Sequence, residues 1–195
     1  MLKFLLTLSG LKRIPRSGWL SHGVSMADVE SVAEHTFSAS AISMILADLE
    51  RRRGVRVDSE KVLRMAVLHD LGESLTFDIS QAHLGHMGSR GHAIKREVEG
   101  KAWDHIADGL NDRELARNYK STQNEYDANA TVESKIVHAA DSLDIILQVL
   151  DYKRKGYPDK LFADLWKERR KKILNSEVPS ATKLLKIIVR ENGKL

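Results

Sequence analysis

An imidazole and a carboxylate stand side by side at His69 and Asp70, in the stretch AVLHDLGES that spans residues 66–74. Around them Val62, Leu63, Ala66, Val67 and Leu71 recur at helical spacing. A buried helix face gains nothing from polar groups that lack partners, since each costs several kcal/mol. Two more groups sit as awkwardly. His35 lies one turn inside a helix, next to Val32 and Phe37, and Asp141 borders an apolar stripe in VHAADSLDII. Two imidazoles and two carboxylates, delivered by three segments, suit one divalent cation of borderline or hard character: Mn, Co, Mg, Zn or Fe. Taken singly, each residue is more often a surface, capping or pairing group. The ordered set carries the reading.

The elements that must position this set read as helices throughout. One begins near residue 2 and runs to about 12. A second starts at Ser31, where Ser31-x-x-Glu34 matches a capping box, and ends in Arg51–Arg53 before Gly54. A third opens at Asp58 or Ser59 and ends near Gly72, which puts His69 and Asp70 in its last turn. The glycine- and histidine-rich run SQAHLGHMGSRG reads as a loop. Helices at about 91–109 and 112–121 follow, then a long one at about 130–154. In that helix Ile136, Ala139, Ala140, Leu143, Ile146, Leu147 and Leu150 form one stripe. Two more helices flank Pro179. No window alternates with period two, so the fold class is all-α. The 195 residues make one domain, with a metal-site core at about 30–150 and C-terminal helices at 159–191 packed on it.

Composition narrows the function classes. The chain has no cysteine, so disulfides, thiolate metal sites and cysteine nucleophiles are excluded, and a reducing cytoplasm is the simplest home. FLLTL is too short to span a bilayer, and no cleavage site follows it, so neither a membrane anchor nor a signal peptide is expected. The net charge of +4 is compatible with anionic substrates without arguing for them. Arg51–Arg53 offset a helix dipole and Lys167–Lys172 read as a solvated face. Neither has interleaved aromatics, so no nucleic-acid polymer is expected as partner.

Four blocks occur in order: LKRIPRSGW (11–19), SVAEHTF (31–37), HDLGES (69–74) followed by Asp78, and KIVHAADSLD (135–144). Together they resemble the HD-domain metal-dependent phosphohydrolase superfamily, and within it the 5′-deoxynucleotidase-like family. The resemblance implies an HD-domain helical bundle with one divalent metal ion held by His35, His69, Asp70 and Asp141. It implies hydrolysis of the 5′-phosphomonoester of nucleoside monophosphates, with a preference for deoxyribonucleotides. Glu73 and Asp78 match the family's catalytic carboxylates, one acting on the attacking water and the other on the leaving 5′-oxygen. Arg16 and Trp19 match residues of the nucleotide pocket, the first suited to clamp a phosphate and the second to pack the sugar. A homodimer is implied as well. One departure stands out: the family carries Gly before this Asp and Pro two residues after it, where this chain reads Phe77-Asp78-Ile79-Ser80.

Two alternatives remain open at this point. Another HD reaction, on triphosphates, cyclic or signalling nucleotides or by a two-metal oxygenase, would use the same ligands. A non-catalytic nucleotide-binding HD module would keep the fold alone. His83, His86 and His92 read mainly as loop residues, and His138 lies three residues before Asp141. Mutual repulsion of the carboxylates further leads to the expectation that Asp70→Asn leaves the metal-free protein as stable as before, or more so.

Overall fold

The computed structural model describes residues 1–79, 84 and 88–192. The α-helices bounded among the described residues are α1 (Leu2–Gly10), α2 (Ser17–Ser21), α3 (Val32–Arg52), α4 (Ser59–Leu68), α5 (Glu73–Thr76), α6 (Gly91–Asp108), α7 (Arg113–Ala128), α8 (Val132–Arg154), α9 (Ala163–Leu174) and α10 (Pro179–Asn192). Among the described residues there is no strand, only an isolated antiparallel bridge between Pro15 and Ser31. The all-α expectation is met.

The expected capping box is present. Glu34 N–H donates to Ser31 Oγ at 3.2 Å, and Ser31 N–H donates back to Glu34 Oε2 at 2.6 Å. Pro179 occupies the first position of α10, where its missing N–H costs nothing. Two boundaries and one burial differ from expectation. Helix α4 stops at Leu68, so His69 and Asp70 follow it instead of forming its last turn. Helix α7 runs to Ala128 rather than about 121, through a mostly polar stretch in which buried Gln123 and half-buried Tyr126 keep the helical spacing of Ala116 and Tyr119. The stripe on α8 is buried as expected except at Leu147, which is 40% exposed. Most of the expected 80–91 loop, with His83 and His86, lies outside the described residues, as does the side chain of His92.

The chain divides into two compact units, each assembled from two separated segments. The first comprises Met1–Thr36 and Leu68–Gln123. Its core gathers Phe4, Leu11, Ile14, Val32, Leu68, Leu71, Trp103, Ile106 and Leu110, with Tyr119 tilted against Phe4 at 5.9 Å. The second comprises Phe37–Val67 and Asn124–Leu195. There α8, α9 and α10 pack on one another. Tyr152 and Phe162, both fully buried, stack at 5.9 Å.

Candidate active site

In the first unit the backbone itself sets up the polar groups. Val32 N–H donates to Ile14 O at 2.8 Å and Arg16 N–H to Glu30 O at 3.0 Å, which ties the Arg16 segment to the start of α3. One turn on, His35 is completely buried. Beyond Leu68 the chain tightens into successive i→i+3 turns. Leu71 N–H donates to Leu68 O at 2.9 Å and Glu73 N–H to Asp70 O at 3.0 Å. Glu73 stands four residues after His69, where a continued helix would put it on the same face. The turns bring the same three residues together by a different path.

The side chains converge on one oxygen. Asp70 Oδ2 lies 3.3 Å from His69 Nε2 and 3.5 Å from His35 Nε2. The two imidazole rings meet edge-on at 5.5 Å. Arg16 Nη1 donates to the same Asp70 oxygen at 2.9 Å and lies 3.7 Å from Glu73 Oε2. Gln123 Nε2 donates to the His69 carbonyl at 3.3 Å and fixes that turn from α7. Two buried nitrogens and a carboxylate oxygen sharing one point are the donor types a borderline divalent cation takes. The residues present fit such an ion.

Charge is distributed unevenly here. Burial alone would raise the Asp70 carboxyl, but His69, Arg16 and His35 outweigh it and hold Asp70 well below the usual carboxylate range. Glu73 goes the other way: burial first, then the negative charge of Asp70, push it well above its ordinary value. Its Oε2 is buried without a hydrogen bond among the described residues. Lys95, on α6, is largely enclosed and paired with Glu99 at 3.4 Å. Desolvation works against its charge, and the acids Glu99, Glu73 and Asp70 more than restore it.

Asp78 and Trp19 have definite partners. Asp78 Oδ2 accepts from Ser17 N–H at 2.6 Å, at the start of α2 and next to Arg16. Trp19 is buried, and its indole N–H donates to Glu30 Oε1 at 2.7 Å. Phe77, just before Asp78, has φ +61° and ψ 165° while its side chain is 68% exposed. That backbone region is essentially reserved for glycine. The departure noted in the sequence is therefore a phenylalanine held in a glycine conformation.

Asp141 lies in the second unit, midway along α8. Its Oδ2 is 3.3 Å from Arg169 Nη1 on α9, and both side chains are largely enclosed. His138, one turn earlier, stacks on Tyr126 at 4.1 Å, and its Nε2 meets the Tyr126 carbonyl at 2.9 Å. Glu30 and Lys95 were not singled out from sequence, and Arg169 belongs to the Lys167–Lys172 run read there as a solvated face, whereas its side chain is only 14% exposed. Each lies at an unremarkable spacing, and only tertiary contact distinguishes it.

A family model described as HD domain matches residues 8–182. The chain belongs to the HD domain family. Among HD-domain relatives, 5'-deoxynucleotidase HDDC2 of Danio rerio is 30% identical over 83% of this chain and 74% of its own length. The 5'-deoxynucleotidase hdd1 of Schizosaccharomyces pombe is 32% identical over 78% of this chain and 72% of its own. A Pyrococcus horikoshii protein of known crystal structure superposes with a TM-score of 0.79 at 30% identity, covering 97% of this chain and 99% of its own. Among the described residues no helix is long and apolar enough to cross a membrane.

Proposed function

We propose that this chain is a metal-dependent phosphohydrolase that removes the 5′-phosphate of deoxyribonucleoside monophosphates, giving nucleoside and inorganic phosphate. The observation that carries the reading is the convergence of His35, His69 and Arg16 on one oxygen of Asp70, at 3.5, 3.3 and 2.9 Å. Asp141 joins His35, His69 and Asp70 as the fourth ligand of a single divalent ion, Mn, Co, Mg, Zn or Fe. Its support is the order of the four sequence blocks and the family. Such an ion, when bound, supplies Lewis acidity that acidifies water and neutralises phosphoryl charge.

The chain's own residues do the rest. Arg16, now paired with Asp70, offers its fork of donors to the phosphate oxygens. Glu73 is buried, carries one oxygen without a hydrogen bond among the described residues and lies near Arg16. Its raised proton affinity suits it to give a proton to the 5′-oxygen as the P–O5′ bond breaks, while the attacking water gives its proton to the Asp78 carboxylate as the new P–O bond forms. Asp78 commits one oxygen to Ser17 N–H and so holds the Arg16 segment in place; any proton role falls to its other oxygen. Trp19 is anchored on Glu30, and it sets sugar preference by fixing the position of that segment. The two units work as one HD-type domain, and the protein acts as a cytoplasmic homodimer.

The test is phosphate release from paired ribo- and deoxyribonucleoside 5′-monophosphates, using chelator-treated protein resupplied with Mn, Co, Mg or Zn. Metal-dependent release from the deoxy set, with little from the ribo set, is expected. Release from both sets removes the sugar preference and keeps the reaction. Folded, metal-loaded protein that releases phosphate from neither overturns the reading.

A further inference from the structure

We infer that Arg169, on α9, is a second phosphate-binding residue for the reaction proposed above, and the inference rests on that reading. Its Nη1 lies 3.3 Å from Asp141 Oδ2, and the two side chains are only 14% and 16% exposed. The Nε of the same guanidinium is buried and has no hydrogen-bond partner among the described residues. A guanidinium presents five N–H donors in a fixed planar fork. One contact at 3.3 Å and an unpartnered buried Nε leave that fork under-used for a charge withdrawn so far from water. The neighbouring acid on its helix, Glu168, is paired with Lys172 at 2.8 Å and meets Arg169 through its charge alone.

The arrangement on Asp141 repeats the one on Asp70, where Arg16 donates at 2.9 Å. Each aspartate proposed as a metal ligand thus carries an arginine. When Asp141 gives its charge to a divalent ion, its attraction for Arg169 weakens, because two cations then compete for one carboxylate. A phosphoryl group brought to that ion supplies the anionic oxygens that replace it. The planar fork matches phosphate bidentately, which a lysine at the same place does not.

The experiment compares wild type, Arg169→Gln and Arg169→Lys, each stripped with chelator and resupplied with Mn2+. It reads KM and kcat for deoxyadenosine 5′-monophosphate, binding of inorganic phosphate by calorimetry, inhibition by deoxyadenosine, Mn2+ affinity and Tm. Arg169→Gln is expected to weaken phosphate binding and raise KM about tenfold or more, the worth of a lost charge-assisted hydrogen bond. Deoxyadenosine inhibition and Mn2+ affinity should stay within about twofold. Arg169→Lys should fall between the two, and it decides the matter if the glutamine variant does not fold. Unchanged phosphate binding, with only Tm lowered, makes Arg169 a clamp between α8 and α9 and overturns the inference. A wild type that binds phosphate through Arg169 yet hydrolyses no nucleotide sinks the nucleotidase reading alone.

Discussion

At the scale of single residues, Asp70 decides what the metal-free protein is like. Viewed from sequence, the carboxylates Asp70, Glu73 and Asp141 repel one another, and neutralising one should cost nothing. The structure reverses that expectation for Asp70, because Arg16 donates to it at 2.9 Å and two imidazoles flank it. A carboxyl held below its usual range stabilises the fold in its charged form. Asp70→Asn therefore abolishes turnover and also destabilises the chelated protein, by about 2 kcal/mol for a partly buried ion pair broken on one side. Thermal unfolding of the chelated variant checks this: Tm should fall by several degrees. An unchanged or higher Tm would mean that Arg16 does not neutralise the site.

At the scale of elements, legibility followed how local the signal was. The Ser31 and Glu34 box and the buried stripe of α8 were readable because each depends on neighbours three or four residues away. The second capping box, at Thr131 and Ser134, was missed because serine stands where glutamate or glutamine is the usual mark. The end of α4 was missed because Leu71 keeps the apolar rhythm while the hydrogen bonds switch from i→i+4 to i→i+3. The turn after α5 carries its own prediction. Phe77 sits at φ +61°, ψ 165°, which costs a non-glycine residue about 1–3 kcal/mol. Glycine removes that strain and gives back about 0.5–1 kcal/mol of unfolded-chain entropy. Phe77→Gly should raise Tm by a few degrees, and a lower Tm in a thermal melt would show that the exposed ring contributes more than the strain removes.

At the scale of the whole molecule, ligand binding and folding are linked. A cation held by groups from separate stretches of sequence binds the folded chain and not the unfolded one. At a hundredfold excess over its Kd it adds about 2.7 kcal/mol, which for a chain of this length shifts Tm by about 5–10 °C. Differential scanning calorimetry of chelated protein titrated with Mn2+ should show that rise, and Asp70→Asn should not. Equal Tm values with and without metal would mean that the converging side chains hold no ion.

The interleaving of the two units bears on how the chain comes into being. Residues 1–36 belong with 68–123, and 37–67 with 124–195. A nascent polypeptide leaving the ribosome thus delivers His35 well before His69 and Asp70, and neither unit has its full set of residues until the stretch that closes it has emerged. Domain swapping or split expression meets the same constraint, since no single cut in the gene yields a fragment encoding either unit alone.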